Sequence, residues 1–167
     1  YSFDGNSKTF DFAKFTLPSV GYDLIPHPRS ALLIIRGGGT SIPTALATGI
    51  PDITVIHESP SISRAIAEHY KLRTTPENPR IFLRHSQRKY DIIHLESWGT
   101  SLAGSAALSQ EYLFTTKAFE EYLKHLSEKG VIIVSRKLLL PPSDSIRLFA
   151  TALQALRESG KKNPQHH

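Results

Sequence analysis

The chain contains neither cysteine nor methionine among its 167 residues. The lack of cysteine excludes disulfides, thiolate nucleophiles and metals bound through cysteine. Long apolar runs are also missing: the longest, at residues 31–35 and 131–134, fall far short of the roughly 20 residues that cross a bilayer. No segment has the pattern of a signal peptide. We therefore expect a soluble, cytoplasmic domain with no membrane span in this chain, although its parent protein can carry one.

Length and charge narrow the class of protein further. A chain of 167 residues lies within the usual range of roughly 50–250 residues for one domain. The net charge is +5, and basic residues gather at residues 80–89 and at Lys161-Lys162. These residues fit either a solvated helix face with a basic tail or a nucleic-acid surface. No RNA motif with interleaved aromatic residues is present, so we expect no nucleic-acid partner.

Apolar strand patterns alternate with helical patterns along the chain. The patterns predict an early strand or hairpin around an Asp4-Gly5 turn, and then five strands over residues 31–35, 53–57, 72–75, 90–95 and 131–135. Between them we expect helices over 43–48, 59–70, from Asn78-Pro79 onward, through Phe119 to Gly130, and over 144–159 with Ile146, Phe149, Leu153 and Leu156 on its apolar face. This alternation predicts an α/β fold with a doubly wound, mostly parallel sheet.

The strongest local motif is Gly37-Gly38-Gly39-Thr40, which follows the apolar run 31–35 and Arg36. Glycines let a ligand approach the backbone closely, and unpaired N–H groups at the start of the next helix favour anionic or oxygen-rich groups. The motif therefore predicts a nucleotide-type pocket at the carboxyl ends of the strands. The alternative is a tight strand-to-helix turn that holds no ligand.

Three further stretches, together with this turn, carry a resemblance to a known family. They are Tyr90-Asp-Ile-Ile, then Leu108-Ser-Gln-Glu-Tyr-Leu-Phe-Thr-Thr116 followed by Phe119 and Tyr122-Leu-Lys-His-Leu126, and finally Leu139-Leu-Pro-Pro-Ser-Asp-Ser-Ile-Arg-Leu-Phe-Ala150. Over nearly its whole length the chain resembles the spermidine-synthase-like branch of S-adenosylmethionine-dependent transferases.

The resemblance implies a methyltransferase-like Rossmann domain with strand order 3-2-1-4-5 over residues 16–160. Residues 1–15 would be the remnant of an N-terminal β-segment, and residues 161–167 a tail that leads into a missing hairpin. Because the chain also lacks an initiating methionine, we expect a fragment or a processed chain. A homodimer is the assembly we consider.

The resemblance also implies a ligand and its binding residues. The ligand is S-adenosylmethionine or its decarboxylated form, with Gly37, Gly38 and Gly39 wrapping its methionine part. The ribose-binding carboxylate falls in register at His57, or at Glu58 one residue later. The adenine-reading position falls near Asn78, flanked by Glu77; Asn78 is equally well explained as a helix cap.

Glu96 occupies the place of the catalytic base in polyamine synthases, at the end of the fourth strand. A carboxylate there can accept a proton from an attacking amine. The plain alternative is a solvated residue at a strand end. His94 is expected to be a core or cleft residue rather than a metal ligand, and no metal site is predicted. Trp98 is a candidate lid or packing residue.

The chain departs from the family pattern at ligand positions. Ile35 replaces a glycine, Ser41 an acidic residue, and His57 and Asn78 stand at carboxylate positions. Two hypotheses follow. One is a transferase, of aminopropyl or methyl type, that binds an adenosyl nucleoside and uses Glu96 as base. The other is a pseudoenzyme, a binding, regulatory or assembly module that keeps the fold. A nicotinamide-cofactor domain is a third reading of the same turn.

Overall fold

A five-stranded parallel sheet forms the centre of the computed structural model, which describes residues 6–37, 39–97, 112–137 and 142–160. The strand order is β3-β2-β1-β4-β5, as predicted. The strands are β1 (Ser30–Arg36), β2 (Asp52–Ile56), β3 (Arg73–Thr75), β4 (Tyr90–Ser97) and β5 (Leu126–Arg136). β1 is central: Ala31 pairs with Ile53 of β2 on one side and with Ile92 of β4 on the other.

Six α-helices are described around this sheet. They are α1 (Ser19–Asp23), α2 (Ser41–Ala47), α3 (Pro60–Tyr70), α4 (Pro79–His85), α5 (Thr116–Lys124) and α6 (Ser143–Glu158). Local signals explain several boundaries. Pro60 and Pro79 stand in the first turns of α3 and α4, where a missing N–H costs nothing. The Asn78 side chain caps α4 by accepting a hydrogen bond from the Arg80 amide at 3.0 Å.

Alternate residues of each strand enter two apolar layers, one on either face of the sheet. Ala31, Leu33 and Ile35 of β1 pack in the layer that contains residues of α1, α2 and α3. Leu32 and Ile34 of the same strand pack with residues of α4, α5 and α6. Strands buried on both faces are typical of parallel sheets. The continuous apolar run of β1 and the mostly apolar sequence of β4 therefore predicted their positions well.

The N-terminal prediction is wrong where it can be compared. Residues Ser7–Phe15 form a 3-10 helix, not a strand, and the Asn6 side chain caps it through the Lys8 amide at 3.1 Å. Its Ala13 is buried, while Phe15 is 90% exposed. The Asp4-Gly5 turn lies outside the described residues.

The helix predicted to reach Gly130 ends earlier, at Lys124. The chain then enters β5 at Leu126, and the His125 carbonyl accepts the Tyr90 amide at 2.8 Å. A Cβ at Gly130 would lie 3.0 Å from the Asp91 carbonyl oxygen. Gly130 therefore allows β5 to approach β4 closely, instead of ending a helix.

α6 is a helix over almost the predicted range, but a different face is buried. Ile146 and Phe149 are 65% and 66% exposed, whereas Ala155 is buried and Leu148 and Ala152 pack against the core. Both sets of residues have helical spacing along α6, so periodicity alone does not show which set is buried. Among the described helices, none has both the length and the apolar character that a bilayer span requires.

Candidate functional site

The glycine turn joins β1 to α2 at the carboxyl edge of the sheet. Gly37 and Gly39 have φ of 84° and 69°, a backbone region that side-chain-bearing residues rarely adopt. The Gly39 amide donates to the Gly37 carbonyl at 2.8 Å. Within the described part of the chain, no heavy atom beyond the adjoining residues lies within 4 Å of a Cβ built on Gly39. The turn therefore needs glycine for its conformation, and no described side chain fills the space beside Gly39. Gly38 lies outside the described residues.

Glu96, at the end of β4, holds the start of α2. Its two carboxylate oxygens accept the Thr40 amide at 3.0 Å and the Ser41 amide at 2.8 Å. The residue is 1% exposed. A carboxylate at a helix N-terminus satisfies amides that have no partner in the helix and interacts favourably with the helix dipole. The N–H groups expected to face a ligand are thus bonded to a side chain of the protein.

Ile35, which replaces a family glycine, points into the apolar layer. It is 4% exposed and packs in one cluster with Ile42 and Ala45 of α2. Its bulk therefore contributes to the core. Ser41 is fully buried, so an acidic side chain at this position would be buried as well, close to the carboxylate of Glu96.

Glu58 lies at the centre of a polar cluster at the ends of β1, β2 and β3, here called the edge cluster (Arg36, Glu58, Asn78 and Tyr112). The Glu58 Oε1 atom accepts the Asn78 side-chain amide at 3.0 Å and the Tyr112 hydroxyl at 2.5 Å. Its Oε2 atom accepts the Arg36 guanidinium at 2.7 Å. The structure thus brings the predicted ribose and adenine positions, Glu58 and Asn78, into direct contact.

Sequence reasoning missed two members of this cluster, Arg36 and Tyr112. The Arg36 guanidinium lies 4.8 Å from the centre of the Tyr112 ring and donates to the Tyr112 hydroxyl at 2.5 Å. Burial, followed by the hydrogen bond to Glu58, raises the pKa of Tyr112 to about 12. A signal for Arg36 was available: a cation directly after five buried residues of a strand needs an anionic partner nearby.

His57 and Glu77, the other predicted residues, flank the edge cluster. His57 Nδ1 accepts the Ser59 amide at 3.0 Å, so its ring faces the start of α3. Burial lowers the pKa of His57 below its usual value. Glu77 is half-buried beside Asn78. Of the two candidates for the ribose position, Glu58 bonds to Asn78, whereas His57 bonds to the Ser59 amide.

A second polar group lies inside the protein between α1, β4 and β5. His94 Nδ1 is 2.9 Å from the Tyr22 hydroxyl, and His94 Nε2 is 2.8 Å from the Ser135 hydroxyl. Burial lowers the pKa of His94 to about 4 and raises that of Tyr22, to which the nearby charge of Glu96 also contributes. His94 is thus a bonded core residue, which agrees with the prediction. Trp98 lies outside the described residues.

No protein-family model and no curated protein sequence matches the chain. Among solved structures, the spermidine synthase from Thermotoga maritima is 19% identical, with a TM-score of 0.57 over 89% of this chain and 50% of that one. A spermidine synthase in complex with the transition-state analogue AdoDATO gives 18% identity and a TM-score of 0.56, over 89% of this chain and 50% of that one.

Similarity is not limited to spermidine synthases. Human methyltransferase-like protein 13 in complex with SAH is 17% identical, with a TM-score of 0.55 over 91% of this chain and 72% of that one. The chain spans about half the length of the spermidine synthases that it matches. At these identities the likeness establishes architecture and not activity. The chain therefore has the methyltransferase-like Rossmann fold of these proteins.

Proposed function

We propose that the chain is a transferase-fold domain that binds an adenosyl nucleoside at the carboxyl edge of β1, β2 and β3. The observation that carries this proposal is the 3.0 Å hydrogen bond between Glu58 and Asn78. These residues follow different strands, β2 and β3, and meet at the edge where ligands of open α/β sheets bind. Solved proteins of the same fold are in complex with SAH or AdoDATO, which supports this ligand class.

The chemistry of the two side chains suits ribose and adenine. An ionised carboxylate accepts two hydroxyl hydrogen bonds at once. Arg36 and Tyr112 now donate to the Glu58 carboxylate, and the ribose hydroxyls would replace these donors. The Asn78 amide oxygen accepts the Arg80 amide and has a second lone pair for the adenine amino group. S-adenosylmethionine and its decarboxylated form are the ligands that the resemblance implies.

Glu96 in this proposal fixes the position of the glycine turn. Both of its oxygens accept amides at the start of α2, and the residue is buried, so a substrate amine would reach the carboxylate only if the surrounding chain moved. Catalysis by Glu96, and with it aminopropyl or methyl transfer, remains a prediction. Its test is activity of a Glu96→Gln variant whose folding is verified by circular dichroism.

The binding proposal is tested by calorimetry with S-adenosylmethionine, its decarboxylated form and methylthioadenosine. We expect at least one of them to bind, and Glu58→Gln to weaken that binding at least tenfold, because a neutral amide loses the charge-assisted hydrogen bonds, worth about 1.5–3 kcal/mol. Glu68→Gln is the matched control, since Glu68 is exposed on α3. Absence of heat from all three nucleosides at millimolar concentration contradicts the proposal.

A second candidate function, a non-catalytic binding or regulatory module, is favoured by a different observation. The carboxylates of Glu58 and Glu96 already accept hydrogen bonds within the protein, which suits binding and structural roles better than proton transfer from a substrate. Such a module binds a nucleoside without converting it. Mass spectrometry of S-adenosylmethionine and of its decarboxylated form, each incubated with a panel of amines with and without the protein, separates the two functions. Protein-dependent formation of SAH from the first donor, by methyl transfer, or of methylthioadenosine from the second, by aminopropyl transfer, supports the enzyme. Unchanged ligands support the module.

A further inference from the structure

Exposed apolar side chains are concentrated in the N-terminal segment of the chain. Residues 12–24 contain five of the nine large apolar side chains that are exposed in the described part of the chain. They are here called the N-terminal patch: Phe12, Phe15, Leu17, Val20 and Leu24. The others lie singly on α3 and α4 or as a pair on α6. Single apolar residues are ordinary on a protein surface, whereas a contiguous apolar patch marks a site of interaction.

The N-terminal 3-10 helix has an apolar side that faces solvent. Side chains three residues apart eclipse each other in a 3-10 helix, so Phe12 and Phe15 share one side of it. On another side, Ala13 is buried and the centres of the Phe10 and Tyr70 rings are 6.0 Å apart. The helix therefore already packs on the protein through its inner side, and Phe12 and Phe15 are left outside.

The following segment continues this apolar surface. The Ser19 hydroxyl lies 2.7 Å from the Lys14 carbonyl oxygen, which holds the start of α1 against the end of the 3-10 helix. Val20 and Leu24, four residues apart, share a face of the helical backbone at α1. Leu17 is 89% exposed in the turn between the two helices. The five side chains thus form one surface that runs from the 3-10 helix across Leu17 to α1.

The N-terminal patch lies in a segment without net charge. Residues 6–24 contain two cations, Lys8 and Lys14, and two anions, Asp11 and Asp23, within a chain of net charge +5. Nucleic acids and anionic lipid surfaces bind where cations gather, so their charge gives them no advantage here. The partner that fits is an apolar protein surface with balanced charges. A second copy of the same patch has both properties.

The two ends of the patch have opposite charges. Lys8 precedes Phe12 in the 3-10 helix, and Asp23 is the last residue of α1. Lys14 bonds to Asp11 at 2.7 Å, whereas neither Lys8 nor Asp23 forms an ion pair within the described residues. A twofold axis through the middle of the patch reverses its direction. Lys8 of each copy then lies opposite Asp23 of the other.

We propose that this chain forms a homodimer in which the N-terminal patches of two copies pack against each other across a twofold axis near Leu17. Five large side chains exposed to this extent present on the order of 600 Å² of surface per copy. Pairing two patches removes on the order of 1,200 Å² from water, the lower end of the range for specific interfaces. A twofold interface uses the same surface on both copies, so one patch is sufficient.

Sedimentation equilibrium of the 167-residue chain between about 1 and 200 μM tests the proposal, because interfaces at the low end of the size range dissociate at micromolar concentrations. We expect a monomer–dimer equilibrium. Phe15→Glu is expected to raise the dissociation constant at least tenfold, since the interface would bury a carboxylate without a partner. Phe149→Glu is the matched control and should change nothing, because Phe149 is also exposed but lies on α6. Circular dichroism verifies that both variants fold.

Three outcomes overturn the proposal. The first is a wild-type protein that stays monomeric over the whole concentration range. The second is a folded Phe15→Glu protein that dimerises as tightly as the wild type. The third is a monomeric protein that floats with phosphatidylcholine vesicles and loses this binding in Phe15→Glu, which would assign the patch to a lipid surface.

Exchange of the charges at the two ends tests the twofold arrangement. Lys8→Asp and Asp23→Lys each place like charges opposite each other and are expected to weaken the dimer at least threefold. The double variant restores opposite charges and is expected to return the dissociation constant to within about twofold of the wild-type value. A double variant that dimerises no more tightly than the single variants overturns this arrangement. None of these measurements depends on the nucleoside site, so their failure leaves the proposed function intact.

Discussion

Two polar regions at this sheet contain the same three residue types in different surroundings. Glu58 and Tyr112 belong to the edge cluster, which His57 flanks, and Glu96, Tyr22 and His94 lie inside, where they are here called the inner cluster. The Glu58 side chain is 43% exposed, whereas Glu96 is 1% exposed. Burial therefore separates residues of the same three types.

The two clusters differ in whether water or a ligand can replace their hydrogen-bond partners. Inside, Glu96 bonds to backbone amides and His94 bonds to two hydroxyls, and water cannot replace these partners. At the edge, Glu58 bonds to the side chains of Arg36 and Tyr112, which can swing away while solvent or a ligand takes their place. A buried group that loses its partner incurs its full desolvation cost. The inner cluster therefore contributes mainly to stability, and the edge cluster is suited to binding.

Acid is expected to affect the inner histidine most. Burial lowers the pKa of His94 from 6.5 to about 4, so the folded state disfavours the protonated ring. Stability is complete above the unfolded pKa of about 6.5 and is lost as the pH falls toward 4, by about 3 kcal/mol from this residue. Urea denaturation at pH 7, 5.5 and 4.5 measures the loss.

Histidine variants assign this acid sensitivity to its source. His94→Gln removes the titrating group, and we expect a flatter profile between pH 6.5 and 4. His57→Gln at the edge is the matched control and should leave the profile nearly unchanged, since His57 is half-exposed. An equal flattening in both variants would remove the distinction between the clusters.

Substitution of the two glutamates is expected to give the next largest difference in the free energy of unfolding. Glu96→Gln turns an NH₂ group toward a backbone N–H that now donates to the carboxylate, and we expect a loss of about 2 kcal/mol in the free energy of unfolding. Glu58→Gln should cost about 0.5 kcal/mol or less, because exposed ion pairs contribute little. Chemical denaturation at pH 7 measures both. A reversed order would make Glu58 the structural residue.

The fold was predictable because its strands are buried on both faces. Residues 31–35 are a continuous apolar run and residues 90–95 are mostly apolar, and parallel strands between helices leave few arrangements of the sheet. The N-terminal 3-10 helix was missed because the Phe residues at 10, 12 and 15 suggested a strand, while tertiary contacts decided the local structure. The sequence predicts a helix end at Gly130. In the structure, Gly130 instead allows β5 to lie close to the Asp91 carbonyl of β4.

The candidate site was predictable in position but not in its bonding. Strand ends placed Glu58, Asn78 and Glu96 at one edge, since the carboxyl ends of parallel strands meet there. Sequence could not show that Glu96 turns toward the amides of α2, or that Arg36 crosses to Glu58. Both contacts depend on side-chain directions across different strands, which local patterns do not encode.

The smallest expected difference separates the two tyrosines. Tyr22→Phe removes the hydroxyl 2.9 Å from His94 Nδ1 in a fully buried site, and we expect a loss of about 1–1.5 kcal/mol in the free energy of unfolding. Tyr112→Phe should cost less than about 0.5 kcal/mol, because the exposed carboxylate of Glu58 can bond to water instead. Thermal or urea denaturation of both variants at pH 7 measures the difference.

The Tyr112→Phe and Tyr22→Phe variants are also expected to differ in their affinity for a nucleoside. Tyr112→Phe frees one oxygen of Glu58 from an internal donor, so ribose hydroxyls no longer compete with it, and we expect affinity to stay equal or rise. Tyr22→Phe lies away from the edge and should leave affinity unchanged while lowering stability. A Tyr112→Phe protein that unfolds as readily as Tyr22→Phe would mean that the edge cluster supports the fold, and its internal bonds would then oppose a ligand instead of marking its place.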